Sequence, residues 1–181
     1  MIRNIIGHPK STIDLVEIMD QGKILILNLA QGKLGEDNAA LLGSMIITQI
    51  QLSAMGRSYA KEEDRRDFFL YVDEFQNFAT SSFAKILSEA RKYRLSLTIA
   101  NQYLAQMDDA TRNAVFGNVG SLVSFQVGPD DAETIGAQLA GDLTAADLVA
   151  LPRFTAYARL LVEGMPSRAF RANRSSAFAR R

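Results

Sequence analysis

The sequence has 181 residues, 48% hydrophobic and 22% charged, with 20 basic residues against 20 acidic ones, one histidine, no cysteine and no tryptophan. Without cysteine, a disulfide scaffold, a zinc ribbon, an iron–sulfur centre and a thiolate nucleophile are excluded, and a single histidine leaves no histidine-rich metal centre. A net charge of zero argues against a protein that coats nucleic acid by bulk electrostatics and leaves room only for a local basic patch.

The first ten residues carry no sustained apolar run and no small-residue cleavage site, so no secretory signal is read there. Gly7-His-Pro-Lys-Ser-Thr12 superficially resembles a phosphate loop. Pro9, however, stands where glycine is needed and removes a backbone N–H that should face the phosphates. His8 within it reads as a solvated loop residue. Lys23–Asn28 is a short continuous apolar run that predicts a buried parallel strand, followed by a turn over Gln31–Gly35.

A crossover helix is expected over Asp37–Arg57, capped by Asp37. Asn38–Gly56 is uncharged for nineteen residues, near the length that spans a bilayer. Ser44, Thr48 and Gln51 nonetheless recur at helical spacing opposite Leu42, Met45, Ile46 and Ile50, so the segment reads as a largely buried globular helix and no membrane span is expected.

The charge run Lys61–Asp67 predicts a solvated loop, and Phe68–Val72 a second buried strand. Ser81–Tyr93 puts Phe83, Ile86, Leu87 and Ala90 on one face, as an amphipathic helix requires. Leu95–Ala100 predicts a third strand, Asp108–Phe116 a short helix and Ser121–Val127 a fourth strand. A helix opening at Pro129, with Asp130, Asp131 and Glu133 in its first turn, suits the dipole. A last helix near Thr144–Leu151 precedes a final strand over Ala156–Val162.

This alternation predicts an α/β domain over residues 1–164 with a mostly parallel sheet covered by helices on both faces. From Met165 onward there are five arginines and no acid. Residues 165–181 therefore read as a basic, flexible tail, in which Arg168, Arg171 and Arg174 could contact DNA phosphates.

In such sheets ligands bind beyond the carboxyl ends of the strands. Phe68–Val72 runs directly into Asp73 and Glu74, two carboxylates that are costly at the tip of a buried strand unless a cation neutralises them. A hydrated magnesium ion does so, taking one or two carboxylates plus water and phosphate oxygens. The pattern is that of a Walker B strand, in which Asp73 holds Mg2+ through water and Glu74 deprotonates the attacking water. The plainer alternative is a solvent-facing acidic turn.

Gln102, just beyond the third strand, is placed on the same rim, where its amide can hydrogen-bond a γ-phosphate or the lytic water. Asn101 and Gln102 could equally be turn formers. Arg91, near the end of its helix, could reach a neighbour's γ-phosphate as an arginine finger or simply favour the helix dipole; Arg94 and then Arg112 are its fallbacks. No G-x-x-x-x-G-K-[ST] loop occurs in the sequence.

Asn28–Asn38, Phe69-Leu-Tyr-Val-Asp-Glu-Phe-Gln-Asn-Phe78, Leu87–Arg94, Ala100–Gln106 and Ala114–Gly120 together resemble the C-terminal half of the HerA/FtsK-superfamily motor domain. The similarity is greatest to coupling-protein ATPases of conjugation and type IV secretion, of the TraD/TraG type. That resemblance, over roughly Arg3–Phe170, implies a RecA-like P-loop NTPase core, ATP and Mg2+ as ligands, a hexameric ring, DNA in a central channel and relaxosome or type IV secretion partners. It also matches Asp73 and Glu74 to the Walker B pair, Gln102 to the polar sensor and Arg91 to the arginine finger.

The family's first strand and P-loop are missing, so the sequence reads as an incomplete, C-terminal portion of such a motor. The resemblance implies a parent ATPase in the cytoplasm, one that could be anchored at the inner membrane through sequence absent here, and this chain alone is expected to be inactive. Loss of a central strand should also leave strand edges and an apolar face exposed. Two other readings stay open. Val72-Asp-Glu-Phe-Gln76 also resembles motif II of UvrD-like helicases, although Ala100–Leu104 lacks their Gly-Asp-x-x-Gln-Ser pattern. The chain could also be a non-catalytic assembly module.

Overall fold

The computed structural model describes residues 7, 11–79 and 81–173, and the chain divides into two compact units. The first comprises the described residues up to Gln102 together with Asp109–Ala114, and the second Tyr103–Asp108 with the described residues from Val115 onward. His8 and Arg174, singled out from the sequence, lie outside the described residues.

In the first unit, helix α1 (Leu15–Gln21) was not legible as an element, yet its end signals are local: the Asp14 side chain accepts the Glu17 N–H, and Gly22 closes it in a left-handed conformation. The one-turn helix α2 (Gln31–Leu34) leads into α3 (Glu36–Gly56). Gly35, not Asp37, occupies the N-cap position of α3, and Asp37 sits in its first turn, where a carboxylate complements the dipole.

The buried stripe of α3 is Ala39, Leu42, Gly43, Ile47, Ile50 and Ala54. Leu41, Met45 and Leu52 are exposed, so the helix is only partly buried, and Met45 lies on the open face rather than the core face. The Ser44 and Thr48 hydroxyls donate back to the carbonyls of Leu41 and Ser44, which removes their need for outside partners. By length and composition alone, Glu36–Tyr59 is long and apolar enough to cross a membrane.

Strand β1 (Phe68–Val72) and strand β2 (Leu95–Ile99) pair in parallel, with Phe68 opposite Leu95 and Val72 opposite Ile99. Between them run a 3-10 turn at Phe75–Asn77, helix α4 (Ser81–Glu89) and a second 3-10 turn at Ala90–Tyr93. The core gathers Met19, Ile50, Val72, Phe75, Phe83, Ile86 and Leu95. The rings of Phe75 and Phe83 lie 4.5 Å apart, tilted by 52°.

Helices were expected on both sheet faces, but among the described residues the Phe69 and Tyr71 face of this pair is open: these side chains are 59% and 72% exposed. Lys23–Asn28, expected as a strand, is irregular, and its Ile24 and Ile26 are 90% and 85% exposed. A strand exists only where a neighbour accepts its ladder hydrogen bonds, and among the described residues β1 and β2 pair with each other alone.

In the second unit, helix α5 (Asp109–Asn118) arrives from the first unit and leads to β3 (Leu122–Ser124), α6 (Pro129–Leu139), α7 (Ala145–Val149) and β4 (Thr155–Arg159). The hairpin of β5 (Leu161–Val162) and β6 (Met165–Pro166) turns at Glu163 and Gly164, both with positive φ, and hands the chain to β7 (Phe170–Asn173).

The sheet order is β3-β4-β7, and both pairings are antiparallel. The mostly parallel expectation is thus corrected: among the described residues parallel pairing is confined to β1 and β2. Within residues 165–173, expected as part of a flexible tail, Met165–Pro166 and Phe170–Asn173 are strands: the tight Glu163–Gly164 turn pairs the first with β5, and the second lies alongside β4. Leu104, Met107, Ile135, Leu139, Leu148, Leu151 and Ala156 form this unit's core.

Helix α7 is closed by a capping box, with Thr144 and Asp147 exchanging side-chain and backbone hydrogen bonds. The Thr144 hydroxyl and then its N–H hold the Asp147 carboxyl below its ordinary range. A lowered folded-state value means the stabilisation is present above the unfolded value of 3.8 and is lost as pH falls through the folded one. The melting temperature of Asp147→Asn should therefore lie below wild type at pH 7, with the gap closing below about pH 3.8. A gap that stays constant in thermal melts from pH 7 to pH 3 would refute the charged cap.

Candidate active site at the end of the parallel strand pair

The carboxyl ends of β1 and β2 form one rim. Beyond Val72, the Ala100 N–H donates to the Val72 carbonyl at 2.9 Å, and the Phe75 N–H donates to the Ala100 carbonyl at 2.9 Å. The ladder therefore continues past both strands and fixes the Asp73–Glu74 turn against Ala100. The Asp73 side chain is exposed, and its Oδ1 accepts the Glu74 N–H at 3.0 Å.

Glu74 adopts a left-handed backbone, φ 50° and ψ 46°. A residue with a Cβ gives up on the order of 1–2 kcal/mol for that conformation, and a positive φ also occurs at Arg94, Ala140, Phe154 and Glu163. Both carboxylate oxygens of Glu74 are engaged: Oε1 accepts from Gln102 Nε2, and Oε2 accepts from Gln76 Nε2 at 2.6 Å. Asp73, Glu74 and Gln102, singled out from the sequence, are thus brought together, and Gln76 joins them.

Gln76 was not among the sequence candidates. Its only signal was its place two residues after the acidic pair, and nothing in the sequence told that its side chain turns back onto Glu74. A second supporting position is Gly43 on α3. A Cβ there would lie 2.2 Å from the Phe78 ring, so the missing side chain is what lets the segment after the acidic pair lie against the helix.

Arg91 does not join this rim. It is exposed in the 3-10 turn before β2, at the amino end of that strand, and the whole of β2 lies between that turn and the carboxyl rim. Arg94 is beside it, donating to the Glu62 carbonyl and paired with Asp67 at 3.3 Å. Arg112 pairs with Asp109. Arg168 and Arg171 are exposed in the second unit, Arg171 within β7 opposite Tyr157.

Among the described residues no cluster of three histidine, cysteine, aspartate or glutamate side chains could cage a metal. One exposed carboxylate at a strand end, Asp73, suits the outer shell of a hydrated Mg2+, which keeps most of its waters.

A family model described as the TraM recognition site of TraD and TraG matches residues 67–147. Over those residues the chain is similar to that segment of TraD and TraG. The matched stretch begins at the residue before β1 and ends within α7, so it contains Asp73, Glu74, Gln76, Arg91 and Gln102.

Among solved structures, the bacterial conjugative coupling protein TrwBdeltaN70, in an unbound monoclinic form, resembles the chain with a TM-score of 0.55 and 20% identity, over 71% of this chain and 35% of that one. At that identity the likeness is one of α/β fold. The chain spans about a third of the length of the protein it matches. No curated protein matches the chain.

Proposed function

We propose that this chain is the Walker B side of a DNA-translocating ATPase of conjugation or type IV secretion, with a RecA-like motor as its complete form. The observation that carries the reading is Glu74: a carboxylate held in a strained backbone at the end of a parallel strand, both oxygens on amide donors, beside an exposed Asp73. The TraD/TraG-type segment around it supports the reading.

Asp73 would hold a hydrated magnesium ion, which when bound would supply positive charge against the phosphate oxygens of ATP. Glu74 accepts the proton of the attacking water at a carboxylate oxygen, and Gln102 donates from the neighbouring strand end. Arg91, at the far end of the strands, cannot serve the rim of its own copy and acts on a neighbour's site in a hexameric ring. A lysine and a hydroxyl from a P-loop, absent from these 181 residues, complete the site. The test is magnesium-dependent ATP hydrolysis by an assembly in which P-loop sequence is joined to this chain; its absence would sink the reading.

The TraD/TraG-type segment is proposed to dock a TraM-type relaxosome protein, and the exposed Arg168 and Arg171 to touch DNA phosphates. The two arginines lie outside residues 67–147, so the two activities should separate. Truncation after Met165 would remove β7 from its sheet, so point changes are the better probe. In Arg168→Ser/Arg171→Ser, the salt slope of DNA binding should fall by about 0.7–0.9 per arginine with TraM binding unchanged. Titrations from 50 to 200 mM salt that leave the slope unmoved would remove these residues from the DNA surface.

A further inference from the structure

Resting on the reading of Glu74 as proton acceptor, we infer that Gln76 is the positioning residue that aims its carboxylate. Three observations carry this. Gln76 Nε2 donates to Glu74 Oε2 at 2.6 Å. Gln76 Oε1 is buried without a hydrogen-bond partner. Turning the amide over would put that oxygen against a carboxylate oxygen, so its orientation follows from Glu74, and an unsatisfied oxygen is tolerated to keep the donor in place.

The third observation is anchorage. Gln76 lies in the 3-10 turn Phe75–Asn77, whose Phe75 is wholly buried against Phe83, and the following Phe78 lies over Gly43. Its backbone is pinned on both sides. Gln102, the other donor, is exposed in an irregular segment after β2. The two amides therefore divide the work: Gln76 is the fixed holder of Oε2, and Gln102 is the exchangeable partner of Oε1, free to leave for a phosphate oxygen without releasing the carboxylate.

The experiment uses the full chain with its side-chain amide 1H–15N signals assigned. Glu74→Ala should shift the Gln76 and Gln102 signals together. Gln76→Leu removes the donor and the orphaned oxygen in one step, so the melting temperature should stay equal to wild type or rise, while the Gln102 signals move toward their position in Glu74→Ala. Unmoved Gln102 signals overturn the inference. If Gln76→Leu does not fold, Gln76→Met is read the same way.

In the ATP-hydrolysing assembly, Gln76→Leu should lower kcat roughly 10- to 100-fold with KM unchanged. Turnover lost in Glu74→Gln but kept in Gln76→Leu overturns the positioning role and leaves Glu74 as base. Turnover kept in Glu74→Gln sinks the assignment of Glu74 itself.

Discussion

Glu74→Gln should lower magnesium-dependent ATP turnover by about 10²- to 10⁴-fold in an assembly that supplies the P-loop, the range that a positioned general base contributes. An amide cannot take the proton of the attacking water, yet it fills the same volume at the same half-exposed position. The left-handed backbone strain at residue 74 is the same for glutamate and glutamine, so it does not distinguish the folds of the two proteins.

One of the two amides facing residue 74 must turn its oxygen toward the new NH2 group, and exposed Gln102 does this at little cost. The melting temperature should therefore stay within about 4 °C of wild type, equivalent to roughly 1 kcal/mol or less. Single-turnover hydrolysis and a thermal melt decide the matter together. Full turnover in a well-folded variant would show that the acidic pair is only a turn.

Arg57→Ala should cost about 3–5 kcal/mol, the largest stability loss expected for a single change in the first unit. Arg57 follows the last residue of α3 and has no exposed surface. Its Nη1 donates to the Arg66 carbonyl at 2.9 Å and its Nη2 to the Tyr93 carbonyl at 2.7 Å, with Asp20 Oδ1 3.6 Å away.

Arg66 precedes β1 and Tyr93 precedes β2, so one guanidinium ties together the amino ends of the two parallel strands whose carboxyl ends form the candidate site. Truncation leaves two carbonyls unpaired and a void the size of the side chain. For a chain of this size the melting temperature should fall by roughly 6–20 °C.

Arg57→Lys should recover only part of that loss, since an ammonium on a flexible stem does not reproduce the two-pronged geometry. Arg57→Met, which removes the buried charge and keeps most of the volume, should fall between alanine and wild type. Calorimetry on the three variants tests the order. An alanine variant that melts with wild type would mean the strand ends are held by packing alone.

The contrast between these two sites shows what was legible beforehand. Asp73 and Glu74 could be read because an apolar run breaking into two adjacent acids is a local pattern, and Gln102 because it ends the next apolar run. Arg57 could not be read: an arginine at a helix end is ordinarily solvated, and its burial depends on carbonyls 9 and 36 residues away in sequence. Gln76 fell between the two cases. Its position was visible, but its purpose lies in a side-chain direction that a 3-10 turn sets. Lys23–Asn28 failed for the opposite reason, since its composition is that of a strand while pairing requires an edge that composition does not supply.

By itself, the sequence determined the apolar runs at Phe68–Val72 and Leu95–Ile99, the helices between and after them, and the acidic pair at the strand end, because periodicity and turn chemistry act over a few residues. Tertiary structure alone decided which runs pair and in which direction, why Phe170–Asn173 joins a sheet, which arginine is buried, and that two amides converge on Glu74. Those outcomes depend on hydrogen-bond partners far apart in the chain, and a buried donor or acceptor is satisfied only where the whole fold brings its partner to it.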